Sequence, residues 1–190
     1  SISLTNINDV PVLAGLNSDV LEFLPGDPAL LIDVGGNATV NDPDSTNFDT
    51  GMLRVSITLN RDEVKDVLSI KNIGTSAGQI GVSGTTVSFG GTAIGTLAGG
   101  TGTTDLTVAL NGSATPPAVQ ALVRAIQFQN TDAAPTVTSR TLSVSLTDGD
   151  GGTSQASAVQ VNFKVGGPSF LSGSGFFVAE NTQLVTSMAA

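Results

Sequence analysis

Apolar side chains recur at every second position along most of this chain. Leu53, Val55, Ile57 and Leu59 share one parity, with Arg54, Ser56 and Thr58 on the other. Successive side chains of an extended backbone point to opposite faces, so this pattern predicts a half-buried strand over 51–60. Leu68 with Ile70, Ile80 with Val82, and Val87 with Phe89 repeat it in short form. So do Leu106, Val108 and Leu110, and then Leu142, Val144 and Leu146. Val159, Val161, Phe163 and Val165 close the series. Gly and Asn clusters separate the segments, and Ser83-Gly84 suits a two-residue hairpin turn. Many short strands with turn punctuation predict an all-β, mostly antiparallel sandwich.

One segment has a different period. After Thr115-Pro116-Pro117, the apolar residues Val119, Leu122, Val123 and Ile126 fall at helical spacing. A short helix is expected over about 116–126, with Thr115 as its cap, Pro in its first turn and Arg124 off the apolar stripe. It would plug one edge of the sandwich and carry no chemistry. Gly99-Gly100-Thr101-Gly102-Thr103-Thr104-Asp105 looks like a calcium-binding glycine nonapeptide, but its Asp is one place late and the unit occurs once, so it reads as a loop.

Composition narrows the function classes. The 190 residues contain no Cys, His, Trp or Tyr. That excludes a disulfide framework, a thiolate zinc site, a Cys nucleophile and a His general base. A net charge of −9 disfavours a nucleic-acid partner, since phosphate binding needs Lys and Arg. No apolar run approaches 18 residues, so no membrane-inserting helix is expected. Ser1–Thr5 lacks the basic start and apolar core of a secretory leader, and the chain reads like a piece of a longer protein.

The charge is uneven. Residues 1–66 hold 11 acids and 3 bases, and residues 67–190 hold 5 acids and 4 bases. Either this is a solvated acidic face, or the carboxylates await a cation. Asp42 and Asp44, one residue apart around Pro43, suit a turn that wraps an ion. Calcium takes six to eight oxygens, and it would relieve the repulsion between two such carboxylates. Asp and Asn also build Asx turns without any metal. Asp62, Glu63 and Asp66 read as a solvated loop face.

The ends of the chain echo each other. Asn6-Ile7-Asn8-Asp9-Val10-Pro11 and Val161-Asn162-Phe163-Lys164-Val165-Gly166-Gly167-Pro168 are both strand ends running into Pro. Glu22 follows Pro11 as Glu180 follows Pro168, at nearly the same spacing. This organisation predicts the tail of one unit over 1–8, a complete unit over 9–165, and a linker with the first strand of the next over 166–190.

Three motifs in order give a family likeness. The stretch Asn6-Ile7-Asn8-Asp9-Val10-Pro11, then Val40-Asn41-Asp42-Pro43-Asp44-Ser45, then Leu146-Thr147-Asp148-Gly149-Asp150-Gly151-Gly152 resembles the linker, the D-x-D-S turn and the late T-D-G-D-G strand end of cadherin-like repeats. Such repeats occur in large bacterial surface and secreted proteins. Val119–Ile126 resembles a helix of bacterial variants, and Phe177–Thr182 the first strand of a following repeat. The resemblance implies an antiparallel Greek-key β-sandwich of cadherin-like or immunoglobulin-like type, serving as a calcium-stiffened spacer or adhesion module outside the cell. Its partners would be neighbouring repeats of the same chain, with a surface protein or polysaccharide as the adhesion target. It implies that Asn8, Asp9, Asp42, Asp44 and Asp148 meet at one pole to hold Ca2+. Asn47 would add a carbonyl and Asp150 an outer ligand, while Glu22 would face the opposite pole. The exit linker, Val165-Gly166-Gly167-Pro168, departs from the family by lacking acids, so that junction would be either flexible or held by packing of Phe170, Phe176 and Phe177.

Two other classes fit less well. A carbohydrate-binding sandwich stacks sugars on exposed aromatic rings, but this chain has no Trp or Tyr, and most of its 8 Phe follow core periodicity. An enzyme is not expected, since no site pairs one buried acid with another across a cleft.

Overall fold

The computed structural model describes residues 7–164, which form thirteen strands and one helix. The expected start of a following unit, with Val165, Phe170, Phe176 and the Phe177–Thr182 strand, lies outside the described residues, as do residues 1–6 of the preceding linker.

The architecture is an all-β sandwich. Its main sheet has eight strands in the order β2 (Asp19–Phe23), β13 (Ser157–Phe163), β12 (Ser139–Thr147), β5 (Met52–Leu59), β10 (Leu106–Leu110), β9 (Thr92–Ala98), β8 (Thr86–Phe89), β7 (Ile80–Ser83). A second sheet has the order β3 (Leu30–Leu31), β11 (Ile126–Asn130), β6 (Asp66–Ile70), and β1 (Val12–Ala14) pairs with β4 (Thr39–Asn41). The pairings are antiparallel except β13 with β2, which run parallel.

Rings from both main layers meet in the core. Phe128 on β11 lies 5.6 Å from Phe23 on β2 and 6.2 Å from Phe163 on β13, and Phe23 lies 5.5 Å from Phe163. Each contact is edge-to-face, the geometry that ring quadrupoles favour. Leu142, Val144 and Leu146 are fully buried on β12, as the alternation of that strand requires.

The alternation fails once, and the cause is visible. Leu53, Val55 and Ile57 are buried, but Leu59 is 51 % exposed. Thr141 pairs with Leu59 while Leu142 pairs with Ile57, so Thr58 is an extra residue in β5. This bulge resets the parity and turns Leu59 outward. The hairpin turn is also one residue later than expected: Ser83 pairs with Thr86, which leaves Gly84-Thr85 as the loop.

The helix, α1, spans Pro116–Arg124. Ala125 ends it, and Ile126 opens β11 rather than extending the stripe. Thr115 stands at the cap position without a side-chain hydrogen bond. Ala118, Val119, Leu122 and Val123 are buried. The off-stripe residues tie the helix to β4: Arg124 Nε donates to the Ala38 carbonyl at 2.8 Å, and Gln120 Oε1 accepts from Val40 N at 3.3 Å.

Asp66 departs from the expected solvated face. It is 3 % exposed. Its Oδ2 accepts from Arg140 Nε at 2.7 Å and its Oδ1 from Asn130 Nδ2 at 2.6 Å. The Arg140 guanidinium also stands 4.9 Å from the Phe163 ring centre. Asp62 caps the adjoining turn by accepting from Val64 N and Lys65 N, so it belongs to a loop as expected.

Candidate metal centre

Strand register places Asp148 at one end of the sandwich and Glu22 at the other. Asp148 follows Thr147, the last residue of β12, and Thr147 pairs with Met52 at the start of β5. Glu22 pairs with Asn162, which pairs with Ser139 at the other end of β12. Glu22 therefore faces the opposite end, where Lys164 Nζ lies 3.6 Å from its Oε2.

Asp148 is fully buried in a tight turn. Its Oδ1 accepts from Asp150 N at 2.8 Å and Gly152 N at 2.9 Å. Its Oδ2 accepts from Asn8 Nδ2 at 2.9 Å. Burial alone would raise the pKa of this carboxyl, but the Asn8 amide and the N–H groups of Gly152, Asp150 and Gly151 outweigh it and hold the group below its ordinary value. Two glycines permit this packing. A Cβ on Gly152 would collide with Asp148 Oδ2 and stand 3.0 Å from Asn8 Nδ2. Gly149 adopts φ +94°, and a Cβ there would collide with the Asp49 carbonyl.

Asp42 directly follows β4 and is 7 % exposed. Its Oδ1 accepts from Asp44 N at 3.3 Å and Ser45 N at 3.2 Å, which closes the turn around Pro43. Its Oδ2 is buried and meets no hydrogen-bond donor among the described residues. Burial pushes the Asp42 carboxyl above its ordinary value. The two backbone N–H groups offset part of the shift, and the adjacent Asp44 carboxyl adds to it, because a second negative charge so close disfavours ionisation.

The linker joins the two turns. Asn8 reaches Asp148, and the next residue, Asp9, donates its N–H to Asp44 Oδ2 at 3.2 Å. The five residues expected at one pole are thus connected by the linker in two sets of contacts. They meet in pairs: among the described residues, no three acids converge closely enough to hold an ion by themselves. Asn47 is used otherwise, its side-chain carbonyl accepting from Asp49 N at 3.0 Å. Asp150 is exposed on the rim of the Asp148 turn.

The donor chemistry suits a hard cation. The side-chain atoms here that could meet a metal are carboxylate and amide oxygens, the class that calcium prefers. Asp42 Oδ2 is the atom most in need of a partner, since a buried polar oxygen without a donor is costly. The sequence reading missed the Gly152 cradle under Asp148, although the Asp-Gly-Asp-Gly-Gly run signals a turn at that place.

No protein-family model matches the chain, and no curated protein sequence matches it.

Proposed function

We propose that this chain is a calcium-binding, cadherin-like repeat of a long extracellular bacterial protein, serving as a calcium-stiffened spacer or adhesion module between neighbouring repeats. The observation that carries the reading is the buried Oδ2 of Asp42, without a donor among the described residues, at the pole crossed by the linker. Asp42, Asp44 and Asp148 would supply carboxylate oxygens, Asp9 a further one, and Asn8 an amide oxygen. Bound calcium would neutralise charges that otherwise repel.

Asn8 has a particular part in this reading. Its amide N–H now satisfies Asp148 Oδ2. Turning the amide about its last bond exchanges the donor for a carbonyl oxygen, which changes Asn8 from a partner of Asp148 into a ligand beside it. A linker fastened in this way would fix the angle between one unit and the one before it. The sandwich fold agrees with the reading, and the function is argued from the site because one fold hosts many functions. Nothing favours sugar stacking: the described phenylalanines Phe23, Phe48, Phe89, Phe128 and Phe163 are buried or half-buried.

Calorimetric titration of the whole chain with calcium, after treatment with chelator, tests the proposal. A saturable site that Asp42→Asn removes supports it. Absence of calcium binding to the wild-type chain rejects it for this chain.

A further inference from the structure

At the end opposite the acids, Leu24, Pro25, Ala133, Ala134, Pro135 and Phe163 line an open groove of about 460 Å³. Leu24 is 43 % exposed there, and Ala133 and Ala134 are exposed as well. Lys164, the last described residue, forms part of the same wall. The chain therefore leaves the sandwich at the mouth of an apolar groove. Beyond Lys164 the sequence runs Val165-Gly166-Gly167-Pro168-Ser169-Phe170-Leu171, and no charged residue occurs before Glu180.

We propose that this groove is the seat of the chain's own downstream segment, with Phe170 as the anchoring ring. Phe170 lies six residues past Lys164, which is a reach of at most about 20 Å for extended chain. Gly166 and Gly167 allow the backbone to reverse at little steric cost, and Pro168 limits the freedom lost on docking. Phe170 is the first aromatic after the exit, so it closes the shortest loop. Its uncharged surroundings match a groove whose walls are mostly aliphatic side chains and one Phe ring, with Thr138 and Lys164 as the polar members. Such docking would orient the polypeptide downstream of the sandwich by packing, without calcium, at a junction whose linker has no acids. The inference stands apart from the calcium reading and uses the opposite end of the molecule.

The chain has no Trp, so Phe170→Trp in the full chain is a clean reporter. Its emission is expected to be blue-shifted, and its quenching by acrylamide several-fold weaker than that of Phe177→Trp. Adding Ala134→Asp, an exposed change in the groove wall, is expected to abolish the shielding. Emission as accessible as that of Phe177→Trp, or shielding unchanged by Ala134→Asp, overturns the proposal. So does shielding that grows with protein concentration, since the occupant is then another copy. A second measurement avoids the added indole: nuclear Overhauser contacts between the Phe170 ring and the Ala133 and Ala134 methyl groups in the wild-type chain are expected, and their absence overturns the docking.

Discussion

Asn8 Nδ2 donates to Asp148 Oδ2 at 2.9 Å across a sequence separation of 140 residues. The contact ties the linker to the turn after β12, and it satisfies one oxygen of a fully buried carboxylate. Asp148 folds with its pKa held down. A depressed carboxylate contributes stability that is present above its unfolded pKa of about 3.9 and lost as pH falls through the folded value.

Asn8→Ala is therefore expected to destabilise the chain by about 1–3 kcal/mol near neutral pH, the cost of stranding a buried acceptor. The melting temperature should fall by about 2–4 °C per kcal/mol. Once Asp148 is protonated, most of that loss should vanish. Denaturant unfolding of both proteins at neutral and strongly acidic pH checks this. An equal loss at both would mean that Asn8 acts by packing and not through the carboxylate.

The bulge in β5 separates two residues that the sequence places on one face. Ile57 is buried and Leu59 is 51 % exposed. Leu59→Ser should change stability by no more than about 0.5 kcal/mol, as a surface substitution does. Ile57→Ser should cost several times more, because it buries a hydroxyl and leaves a void. Chemical denaturation of the two variants side by side decides the register. Similar losses would put Leu59 in the core and remove the bulge.

Asp66 and Arg140 form a buried ion pair 2.7 Å long, with side chains nearly inaccessible to solvent. Removing one partner leaves an uncompensated buried charge, so Arg140→Met alone should cost about 3–5 kcal/mol. The double substitution Asp66→Asn with Arg140→Met should recover part of that loss, because no lone charge remains. A double-mutant cycle by denaturant unfolding measures the coupling. Simple addition of the two single losses would show that the charges do not depend on each other.

Much of this fold is legible in the alternation, and the failures have physical causes. Leu106, Val108 and Leu110 are buried as their parity predicts. Thr58 shifts one register, which no pattern of side chains reveals without the partner strand. Asp66 defeats the reading of its loop because acids are expected outside, yet it shares parity with the buried Leu68 and Ile70. Asn130 likewise shares parity with Ile126 and Phe128, and Arg140 with Leu142 and Val144. Three polar residues on inward positions were the available signal for a buried network. For the candidate site, the motifs name residues that the fold brings into contact, Asn8 with Asp148 and Asp9 with Asp44. The use of Asn8 as a donor and the buried, unsatisfied oxygen of Asp42 depend on tertiary geometry that spacing does not encode.

Asp42 gives the sharpest test of the calcium proposal. Burial raises its pKa, so the ionised carboxyl weakens the fold. The contribution from a raised carboxyl is fully present below the unfolded pKa of about 3.9 and is lost as pH rises through the folded value. Asp42→Asn keeps the Oδ1 acceptor for Asp44 N and Ser45 N while removing the buried charge. The metal-free variant should therefore melt above the metal-free wild type near neutral pH, and the difference should shrink on acidification. Calcium at a hundredfold excess over its Kd adds about 2.7 kcal/mol to a fold that binds it and an unfolded state that does not. That corresponds to a rise of about 5–10 °C for a chain of this size. Wild type should show the rise with millimolar calcium against chelator, and magnesium should give less, since it demands stricter octahedral geometry. Asp42→Asn should lose most of the rise. Arg54→Ala breaks the exposed ion pair with Asp105 and should keep the rise in full, whatever it does to the baseline. Thermal melts of the three proteins provide the comparison. An undiminished calcium rise in Asp42→Asn would remove Asp42 from the site, and with it the observation on which the calcium reading stands.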